Sequence, residues 1–309
     1  MLDIGSNTVH MLIVDAVPGA RPTPQAQKKE VVRLMRYIGD DGRISDEGVQ
    51  LILTAVDECM ELAESSEVSQ LVPMATSAIR EAVNGKSILH KVEARLGQGV
   101  RVLSGEDEAS LTFLAVRRWF GWDAGKLLVI DIGGGSLEVA IGDNEEPDQA
   151  MSVPAGAGRV TRAWLPEGVG SPDDIDCLRE KVRGLIKPMA QEFKGCRPDH
   201  VVGTSKTIRS LARLTGAMTK ATGGFQSWVM RREQLEDWIP RLAMISPDQR
   251  VALPGITAER TEQIVGGAVV VDEIMSALKL DRIETCPWAL REGAILRWLD
   301  QFGRTRMGF

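Results

Sequence analysis

A chain of 309 residues is too long for one small module and, at roughly one to two hundred residues per domain, reads as two domains. Hydrophobic residues make up 43% and charged residues 26%, a globular balance that excludes disordered, collagen-like and coiled-coil classes. A net charge of -6 excludes a protein that coats nucleic acid through a general positive field, so a polyanionic ligand requires a local basic patch.

In chain order, short apolar runs alternate with helical patterns: strands at 8–17 and 30–38, a helix at 45–65, strands at 69–75 and 100–103, and a helix at 105–119. That is an α/β order. Residues 19–29, with Pro18, Pro22 and Pro24, read as a long flexible hairpin loop. The helix from Ser45 has that residue as N-cap, Asp46 and Glu47 in its first turn, and Val49, Ile52, Leu53, Val56, Met60 and Ala63 on one face. Turn residues at 121–125 precede a strongly apolar strand, which divides the chain into 1–123 and 124–309. The second half reads as strands at 127–132, 136–142, 148–153 and 199–202 and helices at 171–194, 204–214 and 231–245. Residues 258–279 read as a long helix crossing between the domains, because Gly266, Gly267 and Ala268 suit a close backbone approach. A last helix at 288–301 carries Trp288, Leu290, Ile295, Leu296, Trp298 and Leu299 and must dock on a domain, the first being the candidate.

Four scattered cysteines, Cys59, Cys177, Cys196 and Cys286, form no CxxC pair, and with only three histidines a disulfide framework or zinc site is not expected. No apolar run reaches the length of a membrane span, and the N-terminus lacks the zones of a signal peptide. The cytoplasm is the expected compartment, with no membrane partner.

The most informative feature is an internal echo. Asp3, Ile4, Gly5, Ser6, Asn7 and Thr8 return as Asp131, Ile132, Gly133, Gly134, Gly135 and Ser136. Both runs lead into another strand pattern, whereas a P-loop or dinucleotide fingerprint leads into a helix. They read as strand-turn-strand phosphate loops, in which glycines expose backbone N–H groups, Ser, Asn and Thr add donors, and the Asp at the strand end can hold a cation. One such loop opening each half implies a ligand between the domains.

In these residues the chain resembles the exopolyphosphatase and guanosine pentaphosphate phosphatase family, within the sugar kinase, actin and heat-shock chaperone ATPase superfold. The resemblance runs through Asp3 to Thr8, Ala75 to Arg80, Ser104 to Ala109, Asp131 to Glu138, Gly156 to Arg159, Gly203 to Ala212, Pro254 to Ile256 with Arg260 and Glu262, and Leu290 to Gly293. It implies two ribonuclease-H-like domains with a cleft between them, magnesium dependence with manganese as a substitute, a homodimer, and removal of a terminal phosphate from inorganic polyphosphate by water. It further implies that Glu108 is the catalytic carboxylate, and that Asp131 and Glu138 position metal and water. The chain departs from the family in having Val202 before Gly203 where two glycines are usual, and it is expected to be the short, two-domain form rather than one of the longer members with an extra C-terminal region. Only Met1 and Leu2 precede Asp3, so the first strand is expected to be cut short or to start upstream of Met1.

Each candidate also has a structural use. Ser104 with Glu106, Asp107 and Glu108 is a helix cap with acids at the positive helix end, yet Glu108 near a cleft can accept a proton from attacking water. Alternation puts Glu138 on the same face as Ser136, so Asp131 and Glu138, with Asp3, can offer oxygen ligands to a hard cation beside the loop. Arg80, after Thr76 and Ser77, can pair two phosphate oxygens. Gly203, Thr204, Ser205 and Lys206 lie between a strand and a helix, where free N–H groups and an ammonium form an anion site. Arg159, Arg162, Arg209, Arg213, Arg231 and Arg232 form a basic track if they share a face, and His10 reads as structural. The reading is a metal-dependent exopolyphosphatase, with a guanosine pentaphosphate 5'-phosphohydrolase as alternative and an actin-like nucleotide-binding ATPase or kinase as a rival of another class.

Overall fold

The computed structural model describes residues 1–17, 19–218 and 227–307, with the side chains of 217 and 302–307 outside the description. The first half contains β1 (Leu2–Ile4), β2 (Thr8–Asp15), β3 (Thr23–Val31), α1 (Asp46–Ser65), β4 (Pro73–Ala75), α2 (Ser77–Glu81), α3 (Gly85–Leu96), β5 (Arg101–Val102) and α4 (Gly105–Phe120). There follow β6 (Leu127–Ile132), β7 (Leu137–Gly142), β8 (Gln149–Val153), α5 (Ala157–Trp164), α6 (Pro172–Glu192), β9 (His200–Gly203), α7 (Lys206–Thr215) and β10 (Ala217–Met218). The chain continues through β11 (Trp228–Arg231), α8 (Arg232–Met244), α9 (Pro247–Arg250), α10 (Ile264–Ala277), β12 (Arg282–Thr285) and α11 (Leu290–Met307).

The two sheets repeat one plan. The first has the order β3-β2-β1-β4-β5, with β1, β2 and β3 antiparallel neighbours and β4 and β5 added in parallel. The second contains β8-β7-β6-β9-β12 with the same orientations, extended by β11 and β10. This duplicated order, three antiparallel strands followed by two parallel ones, is the ribonuclease-H-like arrangement, so the echo in the sequence is a duplication of architecture. In both halves the echoed loop joins the central strand to its antiparallel neighbour.

Several local expectations change. Residues 19–29 are not a loop: 23–31 form edge strand β3, and the expected strand at 30–38 ends in a 3-10 turn at Leu34–Tyr37. Pro24 is tolerated because an edge strand leaves one row of N–H groups unpaired; Pro18 lies outside the described residues. The strand at 69–75 shrinks to β4, and strand β1 has three residues. Ser45 caps α1 as expected, accepting from Gly48 N at 3.3 Å. Helices α3 and α5 are not among the expected elements; α5 has only eight residues.

The expected crossing helix is also displaced. Residues 258–263 are turns, and α10 beyond them is buried from Ile264 to Met275 within the second sheet's core, with Gly266 against Thr161 and Gly267 against Thr207. A helix apolar on every side belongs inside a layer, not across a hinge. The crossing is made by α4 and α11. Phe113 and Val116 of α4 pack on Leu127, Val129 and Val202 of the second sheet, while Leu111 joins Met1, Leu12, Met74, Leu103, Ile295 and Leu299 beside the first. Arg117, 1% exposed, donates to the carbonyls of Gly121, Gly125 and Gly142, closing the C-terminal end of α4 on the chain that leaves it. Arg118 binds Glu145 and Asp300, tying α4 to α11.

The helices touch backbone to backbone at Gly293, where a Cβ would overlap the carbonyl oxygen of Leu111. Gly293→Ala is therefore expected to destabilise the protein by about 1–3 kcal/mol through overpacking. Thermal melting checks this, and an unchanged melting temperature would mean that the helices do not meet at this distance.

Candidate active site

The two echoed loops are built alike. Gly5 N donates to Thr8 O at 3.0 Å, and Gly133 N donates to Ser136 O at 2.9 Å. Antiparallel register then sets Asp3 opposite His10 and Asp131 opposite Glu138, so each pair shares a face of its sheet. The loops meet across the cleft: a Cβ on Gly134 would stand 2.6 Å from Ser6 Oγ, which leaves room only for glycine. The carbonyls of Gly133 and Gly134 accept from Ala157 N and Arg159 N at the start of α5, each at 2.9 Å, and Arg159 Nε donates to Gly135 O at 2.8 Å. Among the described residues, no hydrogen bond engages the N–H of Gly134 or Gly135, the donors a phosphate oxygen would use. A cavity of about 530 Å³ lined by Ser6, Asn7, Arg33, Gly134 and Arg162 opens beside this contact, and one of about 650 Å³ is lined by Arg80, Ser104, Ser136 and Ser152.

The first turn of α4 brings Glu108 inward. Ser104 and Asp107 close a reciprocal cap, Asp107 N to Ser104 Oγ at 3.0 Å and Ser104 N to Asp107 Oδ2 at 3.1 Å. Glu106 points to solvent, and helical phase leaves Glu108, 7% exposed, turned toward the loops. Arg80 Nη1 stands 2.5 Å from Glu108 Oε1 and 2.6 Å from Leu103 O. Arg80, expected on a phosphate, engages Glu108 through Nη1 and also lines the cavity of about 650 Å³. Burial pushes the Glu108 carboxyl up to about 7, with Arg80 opposing the rise and Asp3 and Asp131 adding to it.

Glu138 is buried and accepts from Ser152 Oγ at 2.8 Å; burial, then Glu108 and Asp131, hold it well above the usual carboxylate range. Burial also raises Asp131 to about 6, against the Thr204 hydroxyl and the guanidinium groups of Arg209, Arg260 and Arg291. Asp3 is raised to about 6 by burial, against Arg291, whose Nη1 stands 3.7 Å from Asp3 Oδ2. Asp3 Oδ1 is buried without a hydrogen-bond partner. Four acids thus repel one another, Glu108 and Glu138 buried and Asp3 and Asp131 half-buried, and one oxygen is unsatisfied. An all-oxygen donor set with excess negative charge fits a hard divalent cation. Among the described residues, no three acidic, His or Cys side chains already converge on one point, so sharing an ion requires side-chain rotation.

His10, the counterpart of Glu138 in the first half, lies near Gln27 Oε1 at 3.2 Å, and burial followed by Arg291 lowers it to about 4, so it is neutral. Of the run at Gly203, Thr204 is buried beside Asp131, Ser205 caps α7 by accepting from Ile208 N at 3.0 Å, and Lys206 binds Glu259. The arginine track breaks up: Arg159, Arg162 and Arg209 reach the cleft, whereas Arg232 pairs with Asp272. Arg260, named in the resemblance without a role, and Arg291, noted only within the run Leu290 to Gly293, face the acids together with Arg209; turns and a helix start far apart in the chain deliver them.

The duplicated sheets and facing loops define a two-domain protein of the actin-like ATPase superfold. Residues 12–302 match the Ppx/GppA phosphatase family, and the chain belongs to that family. It is 44% identical over 301 residues to exopolyphosphatase 1 of Mycobacterium tuberculosis, a match spanning 97% of this chain and 88% of that protein. The crystal structure of an exopolyphosphatase from Cytophaga hutchinsonii shares the fold with a TM-score of 0.85 at 23% identity, over 97% of both chains. That of the Aquifex aeolicus member of the Ppx/GppA family does so with a TM-score of 0.76 at 21% identity, again over 97% of both. Among the described residues, no helix is long and apolar enough to cross a membrane.

The buried acids set a pH dependence. In metal-free protein the folded values of Asp3, Asp131 and Glu108 lie above the ordinary carboxylate values of the unfolded chain, so the folded state holds extra protons. That contribution to stability is complete below about pH 4 and is lost as pH rises through about 6 to 7. The melting temperature of chelated protein is expected to fall from about pH 5 to about pH 8, and a divalent cation to reverse most of the fall. A flat profile in chelator would contradict the clustering of these carboxylates.

Proposed function

We propose that the protein is an exopolyphosphatase that removes the terminal phosphate of inorganic polyphosphate by attack of water. The observation that carries this reading is the pair of facing phosphate loops with a buried, arginine-oriented carboxylate, Glu108, set over them. The loop N–H groups of Gly134 and Gly135, with the Ser6, Asn7, Thr8 and Ser136 side chains, bind the terminal phosphoryl oxygens. Asp3, Asp131 and Glu138 would hold a divalent cation, magnesium or manganese, which supplies charge neutralisation at the phosphate oxygens. Glu108 accepts the proton of the attacking water, and a carboxyl near 7 suits a base working at neutral pH. Arg80 keeps that base oriented and favours its ionised form. Arg209, Arg260 and Arg291 offset the charge of the chain behind the acids. A cytoplasmic homodimer is the assembly that accompanies this reading.

Phosphate release from long polyphosphate, tripolyphosphate and guanosine pentaphosphate, compared with magnesium supplied or chelated, tests the reading. Turnover is expected on the inorganic chains and to vanish in chelator. Hydrolysis of guanosine pentaphosphate alone would transfer the protein to the alternative activity, and nucleotide binding without any phosphate release would sink both. Glu108→Gln keeps shape while removing the proton acceptor. It is expected to fold and to bind polyphosphate, and to release phosphate on the order of a hundred to ten thousand times more slowly. Near-normal turnover by the folded variant would remove Glu108 from the mechanism.

A further inference from the structure

The turns at 258–263 present two acids to the first sheet. Lys29 Nζ on edge strand β3 stands 2.6 Å from Glu259 Oε2, and Lys206 Nζ at the start of α7 stands 2.7 Å from the same oxygen. One anionic oxygen therefore bridges an ammonium from each half of the molecule. Burial works against the charge of Glu259, but hydrogen bonds from Lys206 and Lys29 outweigh it and hold the carboxyl at about 2. The triad is not in the core: its side chains are 27% to 34% exposed, and Glu259 lines the cavity that Ser6, Asn7 and Gly134 also line. A solute that reaches the loops through that cavity meets Glu259.

Two ammonium groups about one anionic oxygen at these distances form the setting that a phosphate oxygen takes among lysines. We propose that Glu259 is an internal stand-in for phosphate, a specificity-determining residue that a phosphate chain must displace from Lys29 and Lys206. The inference rests on the reading of the protein as a phosphate-chain hydrolase. A ligand carrying several adjacent charges competes well with a single carboxylate, whereas orthophosphate, the product, competes poorly and is replaced by Glu259 as it leaves. Glu262 serves a separate end. It pairs with Arg33 at 3.3 Å and with Arg36, while Arg33 Nη2 donates to Ala258 O at 3.1 Å, so the segment keeps its anchorage when Glu259 swings away.

The test is Glu259→Gln, which retains the shape and removes the charge. The KM for tripolyphosphate is expected to fall by about fivefold and inhibition by orthophosphate to strengthen by about the same factor, without a gain in kcat. Glu259→Asp is expected to move both constants back toward the parent values. If Glu259 only clamps the two halves together, Glu259→Gln raises KM, lowers the melting temperature and leaves orthophosphate inhibition unchanged, and the proposal falls. Should that variant not fold, calorimetric binding of tripolyphosphate to Lys29→Met decides: weaker binding supports the subsite, and unchanged affinity overturns it. Absence of turnover by the parent protein on every phosphate chain would defeat the underlying reading. Normal parent turnover with unchanged constants in Glu259→Gln would defeat this inference alone.

Discussion

The site depends on one contact, the Leu111 carbonyl of α4 resting against Gly293 of α11. Because a helix is rigid over a few turns, the crossing sets where the first turn of α4 can lie relative to both sheets. That turn carries Glu108, and its capping box with Ser104 and Asp107 leaves the chain no freedom to unwind the helix start toward another position. The same helix packs on the second sheet through Phe113 and Val116, so a change in sheet separation moves Glu108 and both loops together. Gly134 against Ser6 applies the same constraint at the loops themselves.

What that packing encloses is electrostatically uncomfortable. Asp3, Glu108, Asp131 and Glu138 are held where little water can screen them, and the folding energy of the surrounding apolar layers must offset the repulsion. Cations answer it from two directions. Arg80 meets Glu108 from the first half, while Arg209, Arg260 and Arg291 surround Asp131 from the other side. Several of those guanidinium groups keep a buried Nε without a partner, as Asp3 keeps an unpaired oxygen. Unsatisfied groups of both signs in one place are costly to stability and useful to a ligand that carries charges of both signs, a phosphate chain with its counter-ion.

A different balance governs the opposite wall. Residues 258–263 lie near the first sheet through Glu259 and Glu262, whose cation partners come from β3, from the turn after it and from α7. Those pairs are partly exposed, so each is weak and salt-sensitive, unlike the dry arrangement around Glu108. The two halves are thus joined rigidly by α4 and α11 and more loosely by ion pairs across the cavity mouth.

Much of this was legible in the sequence, and the limit has a physical reason. The duplicated loop is local: Gly5 with Thr8 and Gly133 with Ser136 make the same turn because the same residue types need it, and the register of the hairpin that this turn closes sets Asp131 opposite Glu138. Caps are local too, which is why Ser45, Ser104 and Ser171 mark helix starts where expected. The strand at 23–31 was hidden because edge pairing tolerates prolines and charges that otherwise signal a loop. The glycines of α10 announced close packing but not its partner, and the partner proved to be α5 and α7 rather than the other domain. Likewise, Arg80 was legible as a functional cation, whereas its engagement of Glu108, and the convergence of Arg209, Arg260 and Arg291 on Asp131, were decided by tertiary structure. Turn chemistry, caps and strand alternation act over a few residues and are written in order along the chain. Which helix crosses and which charges meet depend on contacts between residues far apart in sequence, and those exist only once both sheets are packed.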